Sequence, residues 1–134
     1  MEPQRNVFAL VIDDDQDQYE IIRAFLTLEG YSVLTADNAA DGLKLYRKYQ
    51  PFVIITDFSM PELDGAELVR RFRTAGAKDT PIVIVSAYSP DYVRQHLHAG
   101  FYPETILSKP LDFELLLDTV RSYHQQQQGQ LCYA

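Results

Sequence analysis

The sequence has a single cysteine, Cys132, and no tryptophan. One cysteine excludes an internal disulfide and a cysteine-based zinc site, and it fits a protein of a reducing compartment. No apolar run approaches the roughly 20 residues that a membrane-spanning helix needs. The first residues, MEPQRNVF, also lack the apolar stretch of a secretory signal. These absences predict a cytoplasmic protein without a membrane anchor.

Basic residues are scarce as well. The chain has 12 Lys and Arg against 19 Asp and Glu, which gives a formal net charge of −7. Nucleic acids and anionic membrane surfaces are bound through basic patches, so direct binding to either is not expected. The 134 residues, 46% of them hydrophobic, are enough for one ordinary domain with a full core.

Five short apolar runs recur along the chain at fairly even spacing. Several are nearly continuous in Val and Ile, which is typical of strands buried on both faces of a parallel sheet. Amphipathic stretches separate the runs and predict five helices. The apolar runs are VFALVI (7–12), SVLTA (32–36), FVIIT (52–56), IVIVSA (82–87) and TILS (105–108).

The alternation of strand and helix predicts an α/β fold, a doubly wound (βα)5 domain with a parallel five-stranded sheet. The flavodoxin-like strand order 2-1-3-4-5 is the commonest for this number of strands. We place the domain at residues 6–124 and expect the glutamine-rich residues 125–134 to be a polar tail, either disordered or a frayed helix. Predicted helix caps are Asp15 or Asp17, Asn38, Asp64, Ser89 and Asp112, and predicted stops are Gly30, Gly76 and Gly100.

Acidic residues follow the first and third predicted strands. Asp13 and Asp14 end the first strand, and Asp57 ends the third. In an open parallel sheet, ligands bind beyond the carboxyl ends of the strands where the strand order reverses, here between these two strands. Carboxylate oxygens suit Mg²⁺ or Mn²⁺, and a cation would offset a repulsion of roughly 4 kcal/mol between two carboxylates about 4 Å apart. The sequence therefore predicts a divalent-cation site.

Two further polar residues end the remaining strands at the same edge. Ser86 closes the fourth strand and Lys109 closes the fifth. A lysine can pair with an anionic oxygen, and a hydroxyl can donate a hydrogen bond to another. Together with a cation, these groups can hold a phosphoryl group.

Four segments in this order, FALVIDDDQD, TDFSMPELDG, IVSA and LSKP, resemble the motifs of the response-regulator receiver domain of two-component signalling. The most specific is D-x-x-M-P-x-x-D-G, which begins at Asp57. The resemblance implies that Asp57 is a phosphoacceptor that attacks a phosphohistidine on a partner, and that the protein is not otherwise an enzyme. It implies Mg²⁺ held by Asp13 through water, by Asp14, by Asp57 and by the backbone carbonyl of Ser59, with Ser86 and Lys109 on the phosphoryl group.

The resemblance also implies partners. These are a sensor histidine kinase or a histidine phosphotransfer protein, and a downstream protein or an output domain outside this chain. The fourth helix, fifth strand and fifth helix form the family's usual output surface, through which a homodimer can form. One position departs from the family: Ile106 stands where Tyr or Phe is usual. Phe101, Tyr102 or Tyr88 are candidate substitutes, unless they only pack on a surface loop.

Two alternatives stay open at the level of the sequence. The departure at Ile106 is compatible with a receiver-like interaction module that acts without phosphorylation. The Asp13-x-Asp15 pattern is compatible with a haloacid-dehalogenase-like phosphatase, with Asp13 as nucleophile and Asp15 as acid. Against the phosphatase, Gln16 and Asp17 stand where a small or hydroxyl residue is usual, and the length leaves no room for a cap domain.

Overall fold

A computed structural model describes the backbone of residues 8–133 and the side chains of residues 8–127. Its strands pair in parallel to form a five-stranded sheet of order β2-β1-β3-β4-β5, as predicted. The elements are β1 (Phe8–Ile12), α1 (Gln16–Leu28), β2 (Ser32–Ala36), α2 (Ala39–Tyr49), β3 (Val53–Asp57), α3 (Gly65–Thr74), β4 (Ile82–Ser86), α4 (Pro90–His96), β5 (Thr105–Ser108) and α5 (Phe113–Tyr133).

Hydrophobic side chains cover both faces of the sheet. Successive strand residues point to opposite faces, so each inner strand supplies two separate cores. On β1, Leu10 and Ile12 pack into one core with Phe72 of α3. Ala9 and Val11 pack into the other core, which includes Leu26 of α1 and residues of α5. Because hydrophobic packing excludes water from both faces, the inner strands carry almost no polar side chains before their carboxyl ends.

Four of the predicted residues are N-caps of helices in the structure. The side chains of Asp15, Asn38, Asp64 and Ser89 accept hydrogen bonds from the backbone N–H two or three residues later. The pair of Asp64 and Glu67 forms only half of a capping box. The Glu67 carboxylate bonds to Arg70 and Arg71 instead of returning to the cap.

Some element boundaries differ from the sequence prediction. α4 ends at His96 and does not reach Gly100, because Leu97 has an extended backbone and packs against the core. β3 lies one residue later than predicted and includes Asp57. The first residue of the predicted run 7–12 lies outside the described residues.

At the other end of the chain, α5 continues past residue 124 to Tyr133, whereas Cys132 belongs to the residues whose side chains are not described. Within the described part of the chain, none of the helices combines the length and the apolar content that crossing a bilayer requires.

Gly65 begins α3 in close contact with the segment that follows β3. Its N–H donates to the carbonyl oxygen of Phe58 at 2.6 Å, and the N–H of Phe58 donates to Val85 at 2.9 Å. A Cβ at position 65 would lie 3.0 Å from the Phe58 Cα and 3.5 Å from the Asp57 carbonyl oxygen. The missing side chain therefore lets the helix approach the end of β3.

We expect Gly65→Ala to lower the free energy of unfolding by about 1–3 kcal/mol, measured by urea denaturation, because the backbone of Phe58 is held on both sides and cannot retreat. A glycine-to-alanine change in a helix usually stabilises by about 0.5–1 kcal/mol. A gain in stability would show that the contact relaxes easily, against this expectation.

Candidate functional site

The parallel register brings Asp13 and Asp57 to the same edge of the sheet. Ile12 on β1 pairs with Thr56 on β3, so the residues that follow them lie side by side. The N–H of Asp13 donates to the carbonyl oxygen of Ala36 at 3.0 Å, which extends the β1–β2 ladder to this residue. The acids are thus held by strand backbone and not by a loose loop.

Three carboxylates converge here. One oxygen from each of Asp13, Asp14 and Asp57 lies within 4.8 Å of the others. Asp13 is 5% exposed and Asp57 is 8% exposed, whereas Asp14 is at the surface. The Oδ1 of Asp13 accepts a hydrogen bond from the N–H of Asp15 at 3.0 Å. The predicted acidic cluster is therefore present, with two of its members almost inaccessible to water.

Lys109, which directly follows β5, faces the acids. Its Nζ lies 2.8 Å from the Oδ1 of Asp57. Its backbone N–H donates to the carbonyl oxygen of Ser86 at 2.8 Å, so Ser86 and Lys109 are neighbours at the same edge. The peptide bond from Lys109 to Pro110 is cis. One ammonium against three carboxylates leaves an excess of two negative charges, the charge that a divalent cation neutralises.

The pKa of Asp13 is raised to about 6, and burial is the main cause. The negative charges of Asp57 and Asp14 also act to raise this pKa, while the hydrogen bond from Asp15 and the charge of Lys109 act to lower it. Desolvation is the largest of these effects. Asp13 is therefore ionised at neutral pH, but at a cost that a nearby cation would remove.

The donor set fits a hard divalent cation, since it consists of carboxylate oxygens at an accessible edge. Asp14 is exposed and lets solvent complete the ligand sphere, as Mg²⁺ prefers. Ser59 lies two residues after Asp57, in the segment between β3 and α3, and is exposed. The role of its carbonyl as a ligand stays a prediction.

A cavity of about 340 Å³ opens beside the acids, between α1 and the start of α5. Asp57 and Lys109 line one side of it, and Ile21, Ile22 and Phe113 line the apolar side. Ile21 is about half exposed at this opening. The cavity therefore extends to Asp57, whose side chain is itself largely buried.

Ser86 is buried at the end of β4, and its Oγ accepts a hydrogen bond from the N–H of Tyr88 at 2.8 Å. Of the aromatic residues considered in place of Ile106, Phe101 packs against the same core as Ile106, and Tyr102 is exposed. Tyr88 stacks on Tyr92 of α4. This stacking was not predicted from the sequence. The four-residue spacing of the rings at positions 88, 92 and 96 is compatible with it but does not determine it.

A family model described as "Response regulator receiver domain" matches residues 9–121. A 14.6 kDa protein in the sodA1 3' region of Leptolyngbya boryana is 37% identical over 116 residues, which cover 85% of this chain and 87% of that protein. The response regulator MprA of Mycobacterium sp. strain KMS is 36% identical over 116 residues. These cover 84% of this chain but only 48% of MprA, so the chain spans about half the length of that relative.

Solved structures share the fold. The chemotaxis protein CheY4 of Vibrio cholerae has a TM-score of 0.77 and 28% identity, and the match covers 88% of this chain and 98% of CheY4. The receiver domain of Francisella response regulator 1452 has a TM-score of 0.78 and 27% identity, covering 90% of this chain and 98% of that domain.

We expect Asp13→Asn to stabilise the metal-free protein. The pKa of Asp13 is raised from its ordinary 3.8 to about 6, so the folded state binds this proton more tightly than the unfolded state. The resulting stability is present below the unfolded pKa and is lost as the pH rises to the folded pKa. Asn keeps an acceptor for the N–H of Asp15 without the charge. The free energy of unfolding at neutral pH in EDTA should rise by about 1–3 kcal/mol.

The measurement is urea denaturation, with Asp14→Asn as the matched control. Asp14 is exposed, so its replacement should change the free energy of unfolding by less than about 0.5 kcal/mol. Equal effects of the two variants would remove burial of Asp13 as the cause.

Mg²⁺ binding should depend on pH in the same range. We expect the ion to compete with the proton of Asp13, so its affinity should fall about tenfold per pH unit below about 6. Calorimetric titration with Mg²⁺ at several pH values tests this. An affinity that stays constant through this range would mean that Asp13 takes no part in binding.

Proposed function

This chain belongs to the response-regulator receiver family of two-component signalling, and on that premise we propose that Asp57 accepts a phosphoryl group in a Mg²⁺-dependent reaction. The observation that supports the proposal is the convergence of three carboxylates and one ammonium. Among these four groups, Asp57 is the carboxylate that Lys109 contacts.

In the proposed reaction, a carboxylate oxygen of Asp57 attacks the phosphorus of a phosphohistidine on the partner. The new bond joins oxygen to phosphorus, the bond from phosphorus to the imidazole nitrogen breaks, and the imidazole keeps the electron pair. The contact of Lys109 with Oδ1 fixes the orientation of the carboxylate before the attack. Little covalent chemistry remains for the protein, so positioning and charge neutralisation dominate.

We propose that Mg²⁺, or Mn²⁺ in its place, is held by Asp13, Asp14, Asp57 and the backbone carbonyl of Ser59. When bound, it would neutralise charge on the transferred phosphoryl oxygens. Ser86 would donate its hydroxyl hydrogen to one of these oxygens, and Lys109 would pair with another.

The proposed donor is a sensor histidine kinase or a histidine phosphotransfer protein. Either must bring an imidazole to Asp57, and the cavity beside α1 supplies a path with an apolar wall. MprA is about twice as long as this chain, so the proposed output is a separate downstream protein or a further domain. The surface of α4, β5 and α5 is the proposed output face, through which two copies can pair, and the cytoplasm is the proposed location.

The phosphatase alternative has less support at the residues that it needs. Its proposed acid, Asp15, is exposed and uses Oδ1 to cap α1 by accepting from the N–H of Asp17 at 3.0 Å. Its proposed nucleophile, Asp13, accepts from the N–H of Asp15, whereas the lysine contacts Asp57. The geometry therefore favours Asp57 over Asp13 as the nucleophile.

The test is incubation with acetyl phosphate, followed by mass spectrometry of the intact chain and mapping of the modified residue. We expect one phosphoryl group on Asp57 in the presence of Mg²⁺, none in EDTA and none in Asp57→Asn. The control variant, Asp15→Asn, keeps the cap of α1 and should be phosphorylated like the wild type. A label on Asp13 would favour the phosphatase, and no label on a folded wild type with Mg²⁺ would favour the interaction module.

A further inference from the structure

Three aromatic rings stack in a row along the exposed side of α4. The rings of Tyr88 and Tyr92 are 4.3 Å apart and inclined by 17°, and those of Tyr92 and His96 are 4.2 Å apart and inclined by 29°. We call these three residues the α4 aromatic column. Tyr88 is 46% exposed and Tyr92 is 38% exposed. The column is therefore a continuous aromatic surface that starts just before α4 and runs to its end.

The inner side of the column rests on the residue next to the phosphoacceptor. Phe58 directly follows Asp57 and is buried. Its ring lies edge-on to all three rings of the column, at centroid distances of 6.0 Å to Tyr88, 6.2 Å to Tyr92 and 6.3 Å to His96. A displacement of the backbone at Asp57 and Phe58 would therefore change the contacts of the Phe58 ring with all three rings of the column.

A second connection reaches the column through Ser86. The Oγ of Ser86 accepts the hydrogen bond from the N–H of Tyr88, and the carbonyl oxygen of Ser86 accepts from the N–H of Lys109. The hydroxyl of Ser86 still has its hydrogen to donate, for example to a phosphoryl oxygen on Asp57. If the Oγ shifts toward that oxygen, its bond from the N–H of Tyr88 is weakened or lost, and the backbone below the first ring of the column is less firmly held.

Both connections rest on the proposed function of Asp57, and from them we propose that the α4 aromatic column is the reporter of phosphorylation in this protein. Phosphorylation draws Ser86 toward Asp57 and releases Tyr88. The shift of the Tyr88 ring passes through Tyr92 to His96 by stacking. Each link is a single hydrogen bond or ring contact of modest strength, so a new contact of similar strength can change which arrangement is populated.

The test uses the histidine rings as probes. The chain has only three histidines, so their ring protons can be resolved and assigned by NMR with His96→Gln. Beryllofluoride with Mg²⁺ serves as a stable mimic of the phosphoryl group, at a fixed pH above the range in which histidine titrates. We expect the His96 signals to move at least three times as far as those of His124, whose ring packs against Tyr31 and Phe52 away from the column.

Two variants at the first ring test the route. Tyr88→Phe keeps a stacking ring and should keep the response of His96. Tyr88→Ala removes the ring but leaves Tyr92 stacked on His96, so the response should fall by at least half at equal occupancy of the site. The fluorine signal of bound beryllofluoride measures that occupancy in each protein.

The outcomes separate this inference from the proposed function. Absence of bound beryllofluoride in the wild type with Mg²⁺ would contradict the proposed function of Asp57 and remove the basis of the reporter. If beryllofluoride binds but the His96 signals do not shift, the reporter role of the column would be overturned while the proposed function stands. The same holds if the response of His96 is undiminished in Tyr88→Ala.

Discussion

Electrostatic repulsion between the buried carboxylates of Asp13 and Asp57 is the constraint on which the site depends. One oxygen of each, and one of the exposed Asp14, lie within 4.8 Å of one another, and Lys109 balances one of the three charges. Two carboxylates at about this distance repel by roughly 4 kcal/mol at an effective dielectric constant of 20. The raised pKa of Asp13 has burial as its largest cause, and the charges of Asp57 and Asp14 add to it. The same excess of negative charge gives the site its capacity for a divalent cation.

The packing of the apolar sheet offsets the free-energy cost of this repulsion. β3 and β4 are buried along their whole length, and two cores hold them from both faces. Because the strands are parallel and in fixed register, their carboxyl ends cannot separate to relieve the repulsion without breaking ladder hydrogen bonds. The packed core therefore holds the charged side chains in fixed positions. Phosphoryl transfer that relies on positioning requires this.

The sequence predicts the sheet and the acidic cluster well because both follow from simple rules. Continuous Val and Ile runs indicate buried parallel strands, and the reversal of strand order places Asp13 and Asp57 together. The predicted end of α4 was wrong. It relied on a local stop signal, Gly100, whereas the helix ends where Leu97 packs against the core, and that contact depends on tertiary structure. The aromatic column was missed for a similar reason. Stacking depends on side-chain rotamers and on Phe58 beneath the rings, neither of which is encoded in one-dimensional spacing.

The aliphatic residue Ile106 on β5 can be compared with the aromatic column at α4. Ile106 packs with Phe101 and Leu97 against the core on the α4 side of the sheet, where an aliphatic side chain has no polar group to turn between core and solvent. The aromatic surface of this region instead lies on Tyr88, Tyr92 and His96, which are bonded to Ser86 at one end and supported by Phe58 along their length. A chain with an aliphatic residue on β5 and a stacked aromatic row at α4 presents its exposed aromatic rings at the helix. In the proposed mechanism, a change at Asp57 therefore reaches a partner through the helix surface and not through the strand.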